Sequence, residues 1–182
     1  MRRGRRIPET TLPALEQAAF AYLERYASSA ENLRRVLMRR VERAARAEAT
    51  TREEGRARVD AVIAKLEANR LLDDRQYAEA RARSLSRQGR SKARIAQRLA
   101  AKGVDSETVD AAVESVVEDG HSDLRAALTL ARKRRLGPFR TKADRKERRE
   151  RDLAALGRAG FSFEIAKRVI DAESVETLEA EI

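Results

Sequence analysis

The stretch LLDDRQYAEARARSLSRQGRSKARIAQRLAAKGVDSETVDAAVESVVE, residues 71–118, decides the fold, because its breaks and caps mark three short helices. Gly89 interrupts the first helix, and Ser91 stands where the N-cap of the second belongs. Gly103 ends the second helix, since glycine adopts the left-handed conformation of a C′ residue without steric cost. These signals agree with one another, and they predict a three-helix unit.

The apolar residues of this stretch recur at helical spacing. We expect Asp73 or Asp74 to cap the first helix, and Val104 and Val109 to staple the start of the third. The predicted faces are Tyr77, Arg81 and Leu85 in the first helix, Ile95 and Leu99 in the second, and Val109, Val113 and Val116 in the third.

The same order of helices occurs twice more. Upstream, Ser29, Leu33 and Leu37 align with Ser91, Ile95 and Leu99, although Ser28 with Glu31 also has the spacing of a capping box. Downstream, residues 156–161 align with residues 99–104. Self-similarity of this kind predicts an all-α fold, an elongated tandem array of three diverged three-helix, helix-turn-helix-like repeats.

The predicted divisions follow from these repeats. They are a mobile basic arm at 1–11, a first unit at 12–70, a central unit at 71–120, a third unit at 121–172 and an acidic tail at 173–182 that ends in a short helix, Ser174 to Glu181. The first unit contains an Arg/Ala-rich insertion at 41–58. This insertion is either an exposed helical extension or a poorly packed loop.

Composition favours small helical units over one deep core. Aromatic residues make up only 4% of the 182 residues, and there is no Trp. The absence of Cys excludes disulfides and thiolate metal sites. No apolar stretch has the length of a membrane span, and the basic N-terminus is not followed by the apolar core of a secretory signal. We therefore expect a cytoplasmic monomer with no membrane association.

The net charge of +10 is unevenly distributed. Residues 132–151 contain eleven basic and three acidic groups, whereas residues 171–182 contain five acidic groups and no Lys or Arg. Residues 80–104 contain no acidic group, and residues 105–123 contain no Lys or Arg. The basic clusters suit contact with a polyanion or an acidic protein surface. A solvated surface with no specific partner would show the same distribution of charge. An acidic third helix disfavours insertion into the DNA major groove.

Residues with catalytic potential are few. Asp73 and Asp74 lack the further ligands that a metal site needs, so capping is the simpler role. His121, the only histidine, has no evident partner for acid–base work. No phosphate-binding loop, nucleophile motif or His cluster is present. We expect neither enzymatic activity nor a cofactor.

The central unit resembles the RecX family of RecA regulators. The resemblance rests on Leu71–Asp74, Tyr77-Ala78, Gly89, Ile95–Leu99 and Lys102–Val104, together with the tandem units, ARKRR at 131–135 and Leu-x-x-x-Gly-Phe at 156–161. It implies a non-enzymatic protein that lies along the groove of the RecA–DNA filament, inhibits ATP hydrolysis and strand exchange, and affects recombination, DNA repair and the SOS response. Weak binding to single- and double-stranded DNA is expected as well.

The basic residues of two units are the candidate contacts with RecA or DNA. The central set comprises Arg81, Arg87, Arg90, Lys92, Arg94, Arg98 and Lys102, and the third-unit set comprises Arg132, Lys133, Arg134 and Arg135. Two other interpretations remain open: a stand-alone helix-turn-helix DNA-binding protein, and a helical scaffold for other proteins.

Overall fold

The computed structural model describes residues 7–120 and 122–180, without the side chains of residues 142 and 143. All four basic residues of the predicted mobile arm, His121 and the end of the predicted acidic tail lie outside the described residues. The described regular structure is entirely helical, which confirms the all-α prediction.

Ten α-helices follow one another along the described chain. They are α1 (Leu12–Leu23), α2 (Ala30–Ala45), α3 (Arg52–Ala68), α4 (Asp74–Arg87), α5 (Lys92–Ala100), α6 (Ser106–Glu118), α7 (Asp123–Arg134), α8 (Lys142–Arg158), α9 (Phe163–Asp171) and α10 (Val175–Glu179). A 3-10 turn, Gly137–Phe139, lies between α7 and α8. Contacts between residues divide the chain into two bodies. The N-terminal body runs to Ala78 and includes Lys102–Asp105, and the C-terminal body comprises Glu79–Ala101 and continues from Ser106.

The N-terminal body has its core among α1, α2 and α3. Leu15, Leu33 and Leu37 have no exposed surface, and Ile63 of α3 is 1% exposed. Full burial of a Leu or Ile side chain contributes about 1.5–3 kcal/mol, so these residues dominate the stability of the body.

Residues 41–58 form the end of α2, a short connection and the start of α3. Val41 and Ala44 are fully buried, and a Cβ atom on Gly55 would lie 2.2 Å from Val41 Cγ1. Most of the segment is exposed helix on either side of a short exposed connection, and only Val41, Ala44 and Gly55 are buried. The missing side chain of Gly55 lets α2 and α3 approach closely at this point.

The N-cap of α2 lies one residue after Ser28, which was the N-cap in the possible capping box with Glu31. Ser29 is the N-cap, and its Oγ accepts a hydrogen bond from the Asn32 N–H at 3.2 Å. Ser28 instead donates to the Ser29 carbonyl oxygen and accepts from Asn32 Nδ2 at 2.7 Å. Either serine has a suitable hydroxyl, and the backbone geometry selects the second.

In the C-terminal body, α5 packs on α6. Ile95 and Leu99 of α5 are fully buried, as predicted. On α6 the buried stripe is Val109, Ala112 and Val116, whereas the predicted Val113 is half-buried. The stripe follows the i, i+3, i+7 spacing of one helix face, which the small side chain of Ala112 obscured in the sequence.

A second core lies among α7, α8 and α9. Leu156 is fully buried, and Leu128, Phe161 and Ile170 are 4–6% exposed. Gly137 has a φ of +52°, and a Cβ there would lie 2.8 Å from the Ile170 Cα atom. Glycine is therefore required where the chain turns between α7 and α8.

The two bodies repeat one hydrogen-bonded junction. In the N-terminal body the Ser29 hydroxyl donates to the Lys102 carbonyl oxygen at 2.5 Å. In the C-terminal body the Ser91 hydroxyl donates to the Ala159 carbonyl oxygen at 3.1 Å. Both serines are N-caps with no exposed surface. Both accepting carbonyl oxygens belong to residues that precede a glycine with positive φ. Each serine hydroxyl therefore caps a helix and also satisfies the carbonyl oxygen of a loop.

An aspartate completes each junction. Asp74 Oδ1 accepts the Ala30 N–H at 2.7 Å, and Asp123 Oδ1 accepts the Lys92 N–H at 2.9 Å. Both acceptors satisfy an N–H group at the first turn of a helix, which has no intrahelical partner. Burial raises the pKa of Asp74, the Ala30 N–H opposes this shift, and the neighbouring Asp105 and Asp73 carboxylates add to it.

Candidate basic interaction surfaces

The central basic set divides into exposed and internally bound side chains. Arg87, Lys92 and Arg98 are exposed, and Arg81 is half-buried on α4. Within the described residues, no carboxylate lies within 4.0 Å of Arg87 or Arg98, each in the last turn of its helix. These two guanidinium groups are therefore available to an external anion.

Two other members of the central set, Arg94 and Lys102, make side-chain hydrogen bonds within the chain. Arg94 donates from Nη1 to Gln97 Oε1 at 2.5 Å and from Nη2 to the carbonyl oxygen of Arg158, the last residue of α8, at 3.2 Å. Arg90 contributes through its main chain, since its backbone N–H donates to the Leu85 carbonyl oxygen at 3.1 Å, while its buried side-chain Nε has no hydrogen-bond partner among the described residues. Lys102, in the N-terminal body, donates from Nζ to Asn32 Oδ1 at 3.1 Å. A cation at a helix C-terminus is stabilising, which gives Arg94 a structural role.

The third-unit set is exposed at the C-terminal end of α7. Arg132 is ion-paired with Glu179 of α10, and its Cζ atom lies 5.6 Å from the centre of the Phe139 ring. Lys133 and Arg134 complete the last turn, and Arg135 is the C-cap with a left-handed φ of 54°. Because Arg132 is occupied by its own chain, the other three residues form the available part of this surface.

Arginines beyond this set bind their own chain. Arg140 donates two hydrogen bonds to Asp152, at 2.7 and 2.8 Å, and the Gly137 N–H donates a third at 2.9 Å. Asp152 is 2% exposed. Burial alone would raise the pKa of Asp152, but Arg140 and the Gly137 N–H hold the pKa below its usual value.

The same is true of two arginines on α8. Arg149 donates two hydrogen bonds of 2.7 Å to Asp171, and this pairing lowers the pKa of the Asp171 carboxyl group. Arg145 donates to the carbonyl oxygens of Ile170, Ala172 and Glu173, so it caps the end of α9. The high charge of residues 132–151 therefore overstates the surface that an external partner can contact.

The third helix of the central unit is acidic on its exposed side. Glu107, Asp110, Glu114 and Glu118 of α6 are all exposed. A helix with this charge is repelled by DNA phosphates, so α6 does not suit the part of a major-groove recognition helix.

Comparison with known proteins identifies the family. The chain is 50% identical over 171 residues to the regulatory protein RecX of Myxococcus xanthus, covering 93% of this chain and 91% of that protein. This chain belongs to the RecX family. The regulatory protein RecX of Agrobacterium fabrum is 43% identical over 110 residues, which cover 60% of this chain and 55% of that protein.

Two further comparisons concern the central unit and the fold. Residues 73–113 match the family model of the second three-helix domain of RecX, and this match contains all seven residues of the central basic set. A crystal structure of a regulatory protein RecX aligns with a TM-score of 0.60 over 88% of this chain and 74% of that one, at 20% identity. That likeness bears on the fold alone.

One basic surface of this RecX-family chain was missed by the sequence reasoning. A groove of about 690 Å³ between α1 and α2 is lined by Tyr22, Tyr26, Arg25, Arg39, Arg43 and Arg46, among others. Only Arg43 and Arg46 of these residues fall in the Arg/Ala-rich stretch at 41–58, and none of the lining residues was a candidate contact. The signal was the spacing of the three α2-side arginines at 39, 43 and 46, which puts them on one helix face.

Proposed function

We propose that this chain is a non-enzymatic regulator that binds along the groove of the RecA–DNA filament and inhibits RecA ATP hydrolysis and strand exchange. Through that inhibition it affects recombination, DNA repair and the SOS response. The observation that carries the proposal is family membership over nearly the whole chain, at 50% identity to a regulatory protein RecX. The exposed basic side chains of the central and third units support it.

Two separate basic sets suit a repetitive partner. Arg87, Lys92 and Arg98 lie in the central unit, and Lys133, Arg134 and Arg135 lie in the third. When one chain carries two weak contacts, binding through the first raises the effective concentration of the second, so the combined affinity exceeds either alone. A filament presents the same surface on each successive subunit and can engage both sets.

Titration of the purified protein into a RecA ATPase assay on single-stranded DNA tests the proposal. We expect Arg87→Glu with Arg98→Glu to raise the half-inhibitory concentration about tenfold, since two surface charge contacts become repulsive. The matched control is Arg52→Glu with Arg56→Glu, which changes the net charge equally on side chains that are 77% and 75% exposed. Circular dichroism checks that both variants keep their helices.

Absence of any effect of the wild-type protein on RecA ATP hydrolysis would reject the proposed function. Equal inhibition by the central variant and the wild type would reject the assigned contacts. Nanomolar, sequence-dependent binding to duplex DNA without RecA would instead favour the stand-alone DNA-binding interpretation.

A further inference from the structure

The segment that follows α9 folds back onto α7. We call residues 173–180 the acidic strap, because Glu173, Glu176 and Glu179 are its only charged side chains. Its middle is the short helix α10, which Ser174 caps by accepting the Thr177 N–H at 3.3 Å. The strap contributes no residue to the proposed RecA contacts, but it lies against one of them.

One buried side chain anchors the acidic strap. Leu178 is 2% exposed and packs into the core of α7, α8 and α9. Arg145 of α8 donates to the Glu173 carbonyl oxygen at 3.2 Å and so fixes the start of the strap. A helix of five residues is unstable by itself, so α10 depends on these contacts. An element with so little buried apolar surface opens locally, without unfolding of the rest of the body.

The strap occupies one member of the third-unit basic set. Glu179 forms an ion pair with Arg132, and these side chains are 50% and 59% exposed. Within the described residues, no carboxylate lies within 4.0 Å of Lys133, Arg134 or Arg135. Arg132 is therefore the one cation of this set that an approaching anion meets already neutralised. An exposed ion pair is weak, so an anion of a partner can take the place of Glu179.

Arg132 remains presented to the surface when Glu179 leaves. Its Cζ atom lies 5.6 Å from the centre of the Phe139 ring, within the range at which an aromatic face attracts a cation, and Phe139 is not part of the strap. A space of about 300 Å³ adjoins the ion pair and is lined by Arg125, Leu128, Thr129, Arg132 and Glu179. The lining contains one carboxylate, that of Glu179. Its departure leaves two arginines facing the space.

We propose that the acidic strap is an autoinhibitory contact, in which Glu179 stands in for the anion of the partner and covers Arg132 until that partner displaces it. The inference rests on the proposed function, because Arg132 belongs to the third-unit contact set. The closed form presents three basic side chains at the end of α7, and the open form presents four. An anionic partner that binds the open form more tightly shifts the equilibrium toward it, and a change that weakens the strap tightens binding.

The direct test measures binding of inorganic polyphosphate to the full chain by isothermal titration calorimetry. Polyphosphate supplies repeated negative charges without bases or a protein surface, so it reports on the cationic contacts. We expect Glu179→Gln to tighten binding about two- to fivefold, which is the change that corresponds to one exposed ion pair. Glu173→Gln is the matched control and should have a much smaller effect. It removes the same charge from the same strap, and Glu173 is exposed and has no ion pair among the described residues.

Two further variants separate the ion pair from the net charge. In a chain that carries Arg132→Gln, Glu179→Gln should no longer change the affinity, because no cation is left to uncover. Leu178→Ala leaves the charge unchanged, and it should tighten polyphosphate binding because it weakens the anchor of α10. Circular dichroism during thermal unfolding checks that the C-terminal body stays folded. If Leu178→Ala unfolds that body, Ser174→Ala replaces it, because it removes the cap of α10 instead.

Hydrogen exchange reports the opening of the strap directly. The Ala180 N–H donates to the Glu176 carbonyl oxygen at 3.0 Å and so depends on α10 being formed. Saturating polyphosphate should speed exchange at this amide, as measured by NMR, because the ligand selects the open form. In Arg132→Gln the ligand has no such preference, and exchange at Ala180 should not respond to it.

Several results would overturn the proposal. Equal tightening by Glu179→Gln and Glu173→Gln would reduce the effect to net charge. A gain from Glu179→Gln that persists beside Arg132→Gln, or slower exchange at Ala180 with polyphosphate, would reject the displacement of Glu179 from Arg132.

The RecA ATPase assay separates the strap from the proposed function. If Glu179→Gln tightens polyphosphate binding but leaves the half-inhibitory concentration unchanged, the strap is supported and the third-unit contact with the filament is rejected. If the wild type inhibits RecA but its polyphosphate affinity does not respond to Glu179→Gln, the strap is rejected and the proposed function stands.

Discussion

Ser29 and Ser91 are equivalent residues that perform the same two tasks. Each caps the second helix of its three-helix unit by accepting an N–H three residues ahead, at 3.2 Å in both cases. Each also donates its hydroxyl hydrogen to the carbonyl oxygen that precedes a positive-φ glycine, Gly103 or Gly160, of the next unit. The repeat seen in the sequence is therefore a repeat of junction chemistry as well as of helices.

Replacement of either serine should cost more stability than loss of an ordinary cap. A lost N-cap costs about 0.5–2 kcal/mol, and at Ser29 or Ser91 a further hydrogen bond of about 1 kcal/mol is lost. We expect Ser29→Ala and Ser91→Ala each to lower the free energy of unfolding by roughly 2–3 kcal/mol. Urea denaturation followed by circular dichroism measures this.

Ser162 provides the matched control. It is an exposed N-cap whose Oγ accepts the Ile165 N–H at 3.3 Å. Ser162→Ala should cost only about 1 kcal/mol. A cost as large as that of Ser91→Ala would mean that the second hydrogen bond of the junction contributes little.

Gly55 and Val41 should show strong energetic coupling. A Cβ atom on residue 55 would lie 2.2 Å from Val41 Cγ1, so Gly55→Ala forces the helices apart and should cost about 1–3 kcal/mol. Val41→Ala removes the obstructing methyl groups. The double variant should therefore be more stable than the sum of the single effects predicts, as measured in a double-mutant cycle. Simple additivity would indicate that α2 and α3 rearrange around residue 55.

Asp152 should make the free energy of unfolding depend on pH. Asp152→Ala leaves Arg140 and the Gly137 N–H without their acceptor and should cost about 2–3 kcal/mol, less than the roughly 3–5 kcal/mol of a fully buried pair because Arg140 is partly exposed. The pKa of Asp152 is lowered on folding, so its contribution is present above the unfolded-state pKa of about 3.9 and is lost as the pH falls through the folded-state pKa.

The measurement is the difference in unfolding free energy between the wild type and Asp152→Asn as a function of pH. This difference should be constant near neutral pH and shrink once the pH falls below about 4. Comparing the two proteins cancels the other acidic groups, including Asp171, whose pKa is also lowered. A difference that does not change with pH would show that the charge of Asp152 is not what stabilises the turn.

Arg94 and Arg98 should separate stability from binding. Arg94→Ala removes two hydrogen bonds, including that to the end of α8, and should lower the free energy of unfolding by about 1–2 kcal/mol. Arg98→Ala should change it by less than about 0.5 kcal/mol, because the side chain is exposed. If the proposed function holds, Arg98→Ala weakens RecA inhibition at unchanged stability. If Arg94→Ala weakened RecA inhibition without lowering the thermal midpoint, Arg94 would be a binding residue and its structural role would be rejected.

Local signals in the sequence were sufficient for most of the helices. Ser91 caps the start of α5 and the positive-φ Gly103 follows its end, as predicted. Such signals are readable in the sequence because a helix cap or a terminating glycine acts within a few residues. The choice of Ser29 over Ser28 was not resolved, since both hydroxyls are locally suitable. Ala112 was overlooked because a small buried side chain carries little hydropathy signal.

The candidate contact residues depended on relationships that spacing does not reveal. Arg149 pairs with Asp171 and Arg94 reaches the end of α8, and in each case the partner belongs to a different helix. A count of basic residues cannot distinguish such internal pairs from free charges. The reverse error occurred at Arg43 and Arg46, which the Arg/Ala-rich composition of 41–58 hid although, within the described residues, no carboxylate lies within 4.0 Å of either.

The hydrogen bond from Ser29 to Lys102 also imposes an order on biosynthesis. The apolar interior of the first three helices extends only to Leu72, so it can close while the ribosome is still translating the second unit. The hydroxyl of Ser29 receives its acceptor only after residue 102 has left the exit tunnel. The N-caps of α2 and α5 therefore acquire their second hydrogen bond only when residues 73 and 68 positions further along the chain have been synthesised.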